Sequence, residues 1–347
     1  MIKTPQATVS RLSGILLGFS HFAVDFCCTA LLCAHTNPKS ALLCAIIYNG
    51  LAFAFQLPVG AMADRLGQNR HFAILGCLTV ACGGFAVNVP LLMSVILGLG
   101  NAFFHVGGGR EALLRGGRKA SRIGYFVAPG AIGIFLGPLC ASLGLPITRF
   151  LPLPALICAL LLLLRQPERQ IEALVLPARM SGRKRWIVPV CLFLTVLLRA
   201  YMGGTIGYSF QQNSWMAMLF VLCIFGGKLL GGRFADRFGA FSFSLIAQPV
   251  ATLLFVLSIW FPYCAFPAIF LFNTTMAVTA HRLYLYTPES GGMMFGLTTL
   301  ALYFGTLPKL LGWTNPFFTW WGLLLLGLLS TCLLLLGLLP KGGKEDA

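Results

Sequence analysis

From Ala41 to Gly60 the chain carries no charged side chain, and runs of this kind recur along its whole length. A helix that crosses the hydrocarbon of a bilayer needs about 20 predominantly apolar residues. Cutting the sequence at charges, prolines and Gly-Asn clusters yields twelve such runs. They lie near 12–34, 40–61, 71–88, 90–108, 121–143, 147–164, 186–207, 213–231, 240–260, 263–281, 291–311 and 316–338. Composition leaves no water-soluble alternative. Of 347 residues, 58% are hydrophobic and 10% charged, against about 25% charged in soluble domains. The expected fold is therefore an all-α polytopic membrane protein with twelve transmembrane helices. The first run is too long for the apolar region of a signal peptide and contains Asp25, so it reads as the first span.

A net charge of +16 raises the question of nucleic acid. The bases answer it, because they sit in short connections between apolar runs and not on a polar domain. With the N-terminus inside, 21 of the 25 bases fall in segments on that side. Lys39, Arg149 and Lys309 fall on the other, and Arg199 alone lies within a span. Cytoplasmic loops carry this excess of Lys and Arg. The expected setting is the cell (inner or plasma) membrane, with both termini cytoplasmic, the lipid bilayer as partner and no nucleic acid. The one long polar segment, 165–185, holds "RQPERQ" and "SGRKR" and reads as a linker. It divides an N-terminal six-helix bundle, 1–164, from a C-terminal one, 186–347.

Twelve cysteines lie mostly inside apolar runs, as Cys27, Cys28, Cys77, Cys158 and Cys223 do. No paired CxxC spacing indicates a metal, and small buried hydrophobes explain them. The sequence contains no GxxxxGK[ST] phosphate loop, no HExxH and no GxSxG. It is expected not to be an enzyme, not to be driven by ATP, and to need no cofactor or metal.

Two short stretches break the apolar pattern and nearly match. Gly60-Ala61-Met62-Ala63-Asp64-Arg65-Leu66-Gly67 aligns with Gly232-Arg233-Phe234-Ala235-Asp236-Arg237-Phe238-Gly239, 172 residues later. Each lies between the second and third spans of its half. The chain is thus read as two pseudo-symmetric six-helix repeats of the same orientation. Glycine lets helix ends approach closely, and an Asp beside a helix N-terminus is favoured by the dipole. An adjacent Arg can pair with it or with lipid phosphate.

A Gly-x-x-x-Asp-Arg-x-Gly loop in both halves of a twelve-span chain resembles the major facilitator superfamily of secondary transporters. The resemblance implies that Gly60, Asp64, Arg65, Gly67 and Arg70, with Asp236 and Arg237, form a cytoplasmic gate that holds helix ends together in one state. "GYFVAPGAIGIFLGPLCAS" (124–142) resembles the antiporter motif of that family, through Gly124, Gly133, Gly137 and Pro138. Small residues four apart allow close helix contact. In the family this pattern accompanies efflux. "FFHVGGGREALLRGGRKASRIGYFVAPGAIGIFLGP" (103–138), "GFSHFAVDF" (18–26) and "LLRAYMGG" (197–204) resemble the fosmidomycin-resistance-like branch of drug exporters. Where that branch carries Pro-Glu after its span-four His, this chain has Val106-Gly107 after His105.

Charges inside spans are costly and mark function by default. Asp25 and Arg199 are the two that lie well inside, 174 residues apart, so they occupy nearly equivalent places on spans one and seven. The resemblance implies that these two spans face each other across a central cavity, so Asp25 and Arg199 are expected to line it and to pair with each other when it is empty. His21 lies four residues before Asp25, on the same helix face. His21 and Asp25 are the first candidates for proton coupling and His105 the next. Asn49, Gln56, Asn101, Gln248, Asn273 and the aromatics Tyr48, Tyr201, Trp215 and Tyr303 are weaker candidates. The resulting expectation is alternating access in a secondary transporter that exports a small amphipathic or anionic compound, coupled to protons or another ion. It is expected to act as a monomer. An importer or facilitator of a small metabolite is the rival within transport. A transport-inactive receptor, scaffold or lipid scramblase is the rival outside it.

Overall fold

The computed structural model describes residues 5–144, 152–164, 184–313 and 315–339. The proposed linker lies almost wholly outside them. The described residues contain helices and no strand. The chain builds α1 (Pro5–His35), α2 (Ala41–Leu66), α3 (Asn69–Gly83), α4 (Pro90–Gly116), α5 (Ser121–Ser142) and α6 (Pro152–Leu164). It continues with α7 (Lys184–Thr205), α8 (Ser214–Phe238), α9 (Ala240–Leu257), α10 (Pro262–Tyr286), α11 (Gly291–Leu310) and α12 (Trp320–Leu338). Each of the twelve apolar runs coincides with one of these helices. Among the described residues nine stretches are long and apolar enough to cross a membrane. The remainder are α3 (15 residues), α6 (13 residues) and α11, which is rich in glycine and threonine.

The helix ends follow their local sequences. Pro90 opens α4, where its missing N–H costs nothing. The side chain of Asn213 accepts from the amides of Trp215 and Met216 and caps α8. Gly67 closes α2 with φ +65° and Gly239 closes α8 with φ +81°. These are the final glycines of the two repeated stretches, and a side chain there would be strained. Within α2, residues Gly50–Ala54 form a π turn. Such bulges occur frequently at functional sites.

The chain packs into two compact units. The first holds Met1–Gly117, Tyr125–Leu174 and Glu289–Leu300, and the second holds Arg118–Gly124, Val175–Pro288 and Ala301–Ala347. In the first, α3 and α4 meet through glycines. A Cβ on Gly76 would strike the Phe104 backbone, and one on Gly107 would strike that of Ala73. Small residues let backbones come this close where lipid offers no hydrophobic drive for association. In the second unit Met202, Phe255, Phe272 and Leu323 form an apolar core shared by α7, α9, α10 and α12. Phe255 and Phe272 meet edge to face, 5.2 Å between centroids. Beyond the end of α7, Tyr208 shares a 2.7 Å hydrogen bond with Ser258. Burial pushes its phenol up to about 12, so this contact stays neutral.

Candidate functional site

In the first unit, α1 brings His21 and Asp25 to one face, and α4 brings Asn101 and His105 to meet them. His21 Nε2 lies 3.1 Å from Asp25 Oδ2, as their spacing of four predicts. His105 Nε2 lies 3.6 Å from Asp25 Oδ1 and 2.8 Å from His21 Nε2. The Asn101 amide donates to Asp25 Oδ1 at 2.9 Å and to the Tyr48 hydroxyl at 3.2 Å. All of these side chains are buried. On α5 Gly130 faces the pair, and a Cβ there would strike His21 Nε2 and Asp25 Oδ2.

The two rings are fixed from behind. His21 Nδ1 lies 2.7 Å from the Phe126 carbonyl oxygen, and His105 Nδ1 lies 2.9 Å from that of Asn101. A carbonyl cannot donate, so each Nδ1 carries the hydrogen. Each neutral ring then presents a bare lone pair at Nε2. Two nitrogen lone pairs and a carboxylate converge on one point. They repel unless a cation stands among them. One added proton makes an imidazolium, an imidazole and a carboxylate, which together are neutral and suit a buried place.

Asp25 also lies at the wall of a cavity of about 360 Å³. Thr29 and Cys33 of α1, Thr36 just beyond it, Ala41, Tyr48, Asn49 and Phe53 of α2, and Ile134 and Pro138 of α5 line it with the carboxylate. The π turn of α2 contributes Phe53 to this wall. The cavity runs from Asp25 toward the α1–α2 connection, at the end of the unit opposite Asp64.

At that other end Asp64 caps a helix from far along the chain. Its Oδ1 accepts from the Gly292 amide and its Oδ2 from the Met293 amide, both at 2.8 Å. These are orphan donors in the first turn of α11. Arg110 Nε of α4 donates to Asp64 Oδ1 at 2.6 Å and its other nitrogen reaches the Asn69 side chain. Gly60 lies against this helix start, and a Cβ there would strike the Gly292 carbonyl. The partner of Asp64 is therefore Arg110, not the adjacent Arg65 that the sequence offers. Neighbours in a helix point in different directions, and Arg65 is exposed. Arg70 instead donates to the Leu162 carbonyl at 2.8 Å.

The second unit repeats the device. Asp236 Oδ1 accepts from the Ala120 amide at 2.7 Å and Oδ2 from the Ser121 amide at 3.1 Å, at the start of α5. Gly232 lies against Ala120 as Gly60 lies against Gly292. Arg237 sits over the Phe238 ring, 5.4 Å from its centroid.

Arg199 is buried on α7. Its guanidinium donates to Thr275 Oγ1 at 2.9 Å and approaches Met276 Sδ at 2.9 Å, both on α10. Asp25 and Arg199 thus each have partners inside their own unit. The glycines of 124–142 divide as well. Gly133 and Gly137 pack on α1 at Phe22, Phe26 and Thr29, whereas Gly124 packs on the Lys228 carbonyl of α8. Pro138 lines the cavity. None of the twelve cysteines is in a disulfide.

No protein-family model matches the chain, and no curated protein matches it either. Solved structures do. A variant of the E. coli fucose:proton symporter FucP superposes with a TM-score of 0.65 at 12% identity, over 94% of this chain and 97% of that one. The human organic anion transporter MFSD10 (TETRAN) gives 0.65 at 16% identity, over 97% and 99%. FucP in the outward conformation, a major facilitator superfamily transporter, gives 0.61 at 13% identity, over 93% and 98%. The chain has the major facilitator fold. It is a multi-pass membrane protein, and its capped helix starts and Asp25 cavity belong to that frame.

Proposed function

We propose that the chain is a secondary transporter working by alternating access, coupled to protons, that moves a small anionic or amphipathic compound. One observation carries this reading. Two imidazole nitrogens and a carboxylate converge on a point that demands a cation, and the carboxylate opens onto a cavity. A coupling cation and a substrate path are thus contiguous. The Asp64 cap closes the unit at the opposite end, so the cavity is served from one end only. Release of Asp64 from α11, and of Asp236 from α5, is the step that exchanges the open end. These contacts number a few hydrogen bonds each, weak enough to break in a working cycle.

The finer assignments rest on sequence. The glycine pattern of 124–142 supports export, and the resemblance to the fosmidomycin-resistance-like branch supports a drug or drug-like cargo. The distribution of bases supports cytoplasmic termini in a cell membrane, hence a cytoplasmic Asp64 end. Transport and not enzymatic chemistry is the role of the site. The division of the chain by a cytoplasmic linker at 165–185 is kept as part of this proposal. Import is the second reading, favoured by the likeness to a fucose:proton symporter.

Proteoliposomes holding a pH-sensitive dye test the proposal. Under an imposed proton gradient, a panel of small organic anions and amphipathic drugs is added to wild type and to Asp25→Asn. Substrate-dependent proton flux that Asp25→Asn abolishes is the expected result. Substrate movement without proton flux, equal in both proteins, would overturn the coupling.

A further inference from the structure

We propose that His21, Asp25 and His105 also form a binding site for a divalent transition-metal ion of the Zn²⁺, Co²⁺ or Ni²⁺ kind. No familiar metal-binding spacing announces it, since the ligands come from two helices. The inference uses the site of the proposed function but does not depend on transport.

The ligand atoms are the two Nε2 nitrogens and a carboxylate oxygen, all within 4.8 Å of one another. Zinc holds nitrogen and oxygen ligands at about 2.0–2.2 Å in a tetrahedron, which sets neighbouring donors about 3.3 Å apart. The two Nε2 atoms lie 2.8 Å apart, and each faces its own oxygen of Asp25, His21 to Oδ2 at 3.1 Å and His105 to Oδ1 at 3.6 Å, so the contacts bracket that spacing.

The outer contacts fit too. A histidine that ligates a metal through one nitrogen donates its other N–H to a carbonyl or carboxylate. Both rings already do so, to Phe126 and Asn101. The carboxylate is held in turn by the Asn101 amide. The donor set of two imidazoles and one carboxylate suits Zn²⁺, Co²⁺ and Ni²⁺ and does not suit the all-oxygen preference of Ca²⁺ or Mg²⁺. Three protein ligands leave a fourth position for water or for an anionic group arriving through the cavity at Asp25. Such a three-ligand site with one open position exchanges its ligands, unlike a closed structural site. A proton and a metal ion would meet the same lone pairs, so one excludes the other.

The test uses untagged full-length protein in detergent, titrated with Co²⁺ and followed by its visible spectrum. Zn²⁺ is titrated in parallel by calorimetry. One ion per chain is expected, with the strong absorption of a four-coordinate nitrogen and oxygen cobalt site. Asp25→Asn and His105→Gln should each weaken binding by at least about tenfold. His71→Gln, on α3 and outside the cluster, should leave it unchanged. Size-exclusion profiles and thermal unfolding establish that each variant is folded. Absence of Co²⁺ binding by folded wild type overturns the inference, and so does unaltered binding in the double variant His21→Gln/His105→Gln. Failure of metal binding alongside proton flux sensitive to Asp25→Asn removes the metal site and leaves the transporter. Stoichiometric metal binding without any proton flux does the reverse.

Discussion

The two repeats hold opposite charges in the same frame. Asp25 on α1 meets Asn101 on α4, and Arg199 on α7 meets Thr275 on α10. Both partners lie 76 residues beyond the charge. In the first repeat the charge is surrounded by two imidazoles and an amide, a set that gathers a cation. In the second, a hydroxyl and a thioether attend the guanidinium, and neither carries charge. Equivalent positions of the two repeats thus carry opposite charges in unlike surroundings, and we propose that the first serves a cation and the second an anionic group. The motif ends differ in the same way. Asp64 caps a helix and pairs with Arg110, whereas Asp236 accepts from two backbone amides and, among the described residues, forms no ion pair.

The sharpest break of this comparison is functional. Asp25→Asn is expected to abolish proton flux in liposomes while substrate binding survives. Arg199→Gln should do the opposite, raising the apparent KM for an anionic substrate by about tenfold or more, the worth of one charge-assisted hydrogen bond. Equal effects of both variants on both readouts would show that the two repeats do not divide the labour.

Next in size is the close approach at Gly60. Gly60→Val puts branched carbon where the Gly292 carbonyl lies, and overpacking of this kind costs about 1–3 kcal/mol. The capped state should lose population. Labelling of a cysteine introduced at Met293 then rises above that of the same cysteine on an otherwise wild-type chain. Unchanged labelling would detach Gly60 from the gate.

The two caps should separate by stability. Asp64→Asn keeps one acceptor but leaves Arg110 without its carboxylate, an expected loss of about 2 kcal/mol for a largely buried pair. Asp236→Asn forfeits about 1 kcal/mol, the scale of one hydrogen bond. Thermal unfolding in detergent reads both, and a larger loss at Asp236 would contradict the ranking. Smallest is Gly67→Ala, which puts a side chain in the left-handed helical well (φ 65°, ψ 16°) at about 1 kcal/mol; by the same measurement it should cost less than Gly239→Ala, because Gly239 sits at φ 81°, ψ 136°, outside that well.

Much of this was readable along the chain. Asp25 and Arg199 stood out because a charge inside twenty apolar residues is rare, whatever surrounds it. Asp64 and Asp236 stood out because the same eight residues recur in the same place of each half. Arg110 gave no such signal: it was one base among five in its connection, and only its reach to Asp64 distinguishes it. Gly130 was one of many small residues on α5, and its place against His21 and Asp25 becomes visible only when α5 lies on α1. Gly292 and Met293 contribute backbone amides, which side-chain chemistry does not advertise.

The sequence by itself determined the twelve helices, the duplicated loop and the charges set in apolar spans. These follow from hydropathy and spacing, which are properties of neighbours along the chain. The tertiary structure alone decided that His105 comes 2.8 Å from His21 across 84 residues. It also decided that Asp64 caps a helix 228 residues away. Such partnerships depend on how helix faces pack, and packing is set by all the side chains along the facing helices and not by any one pair.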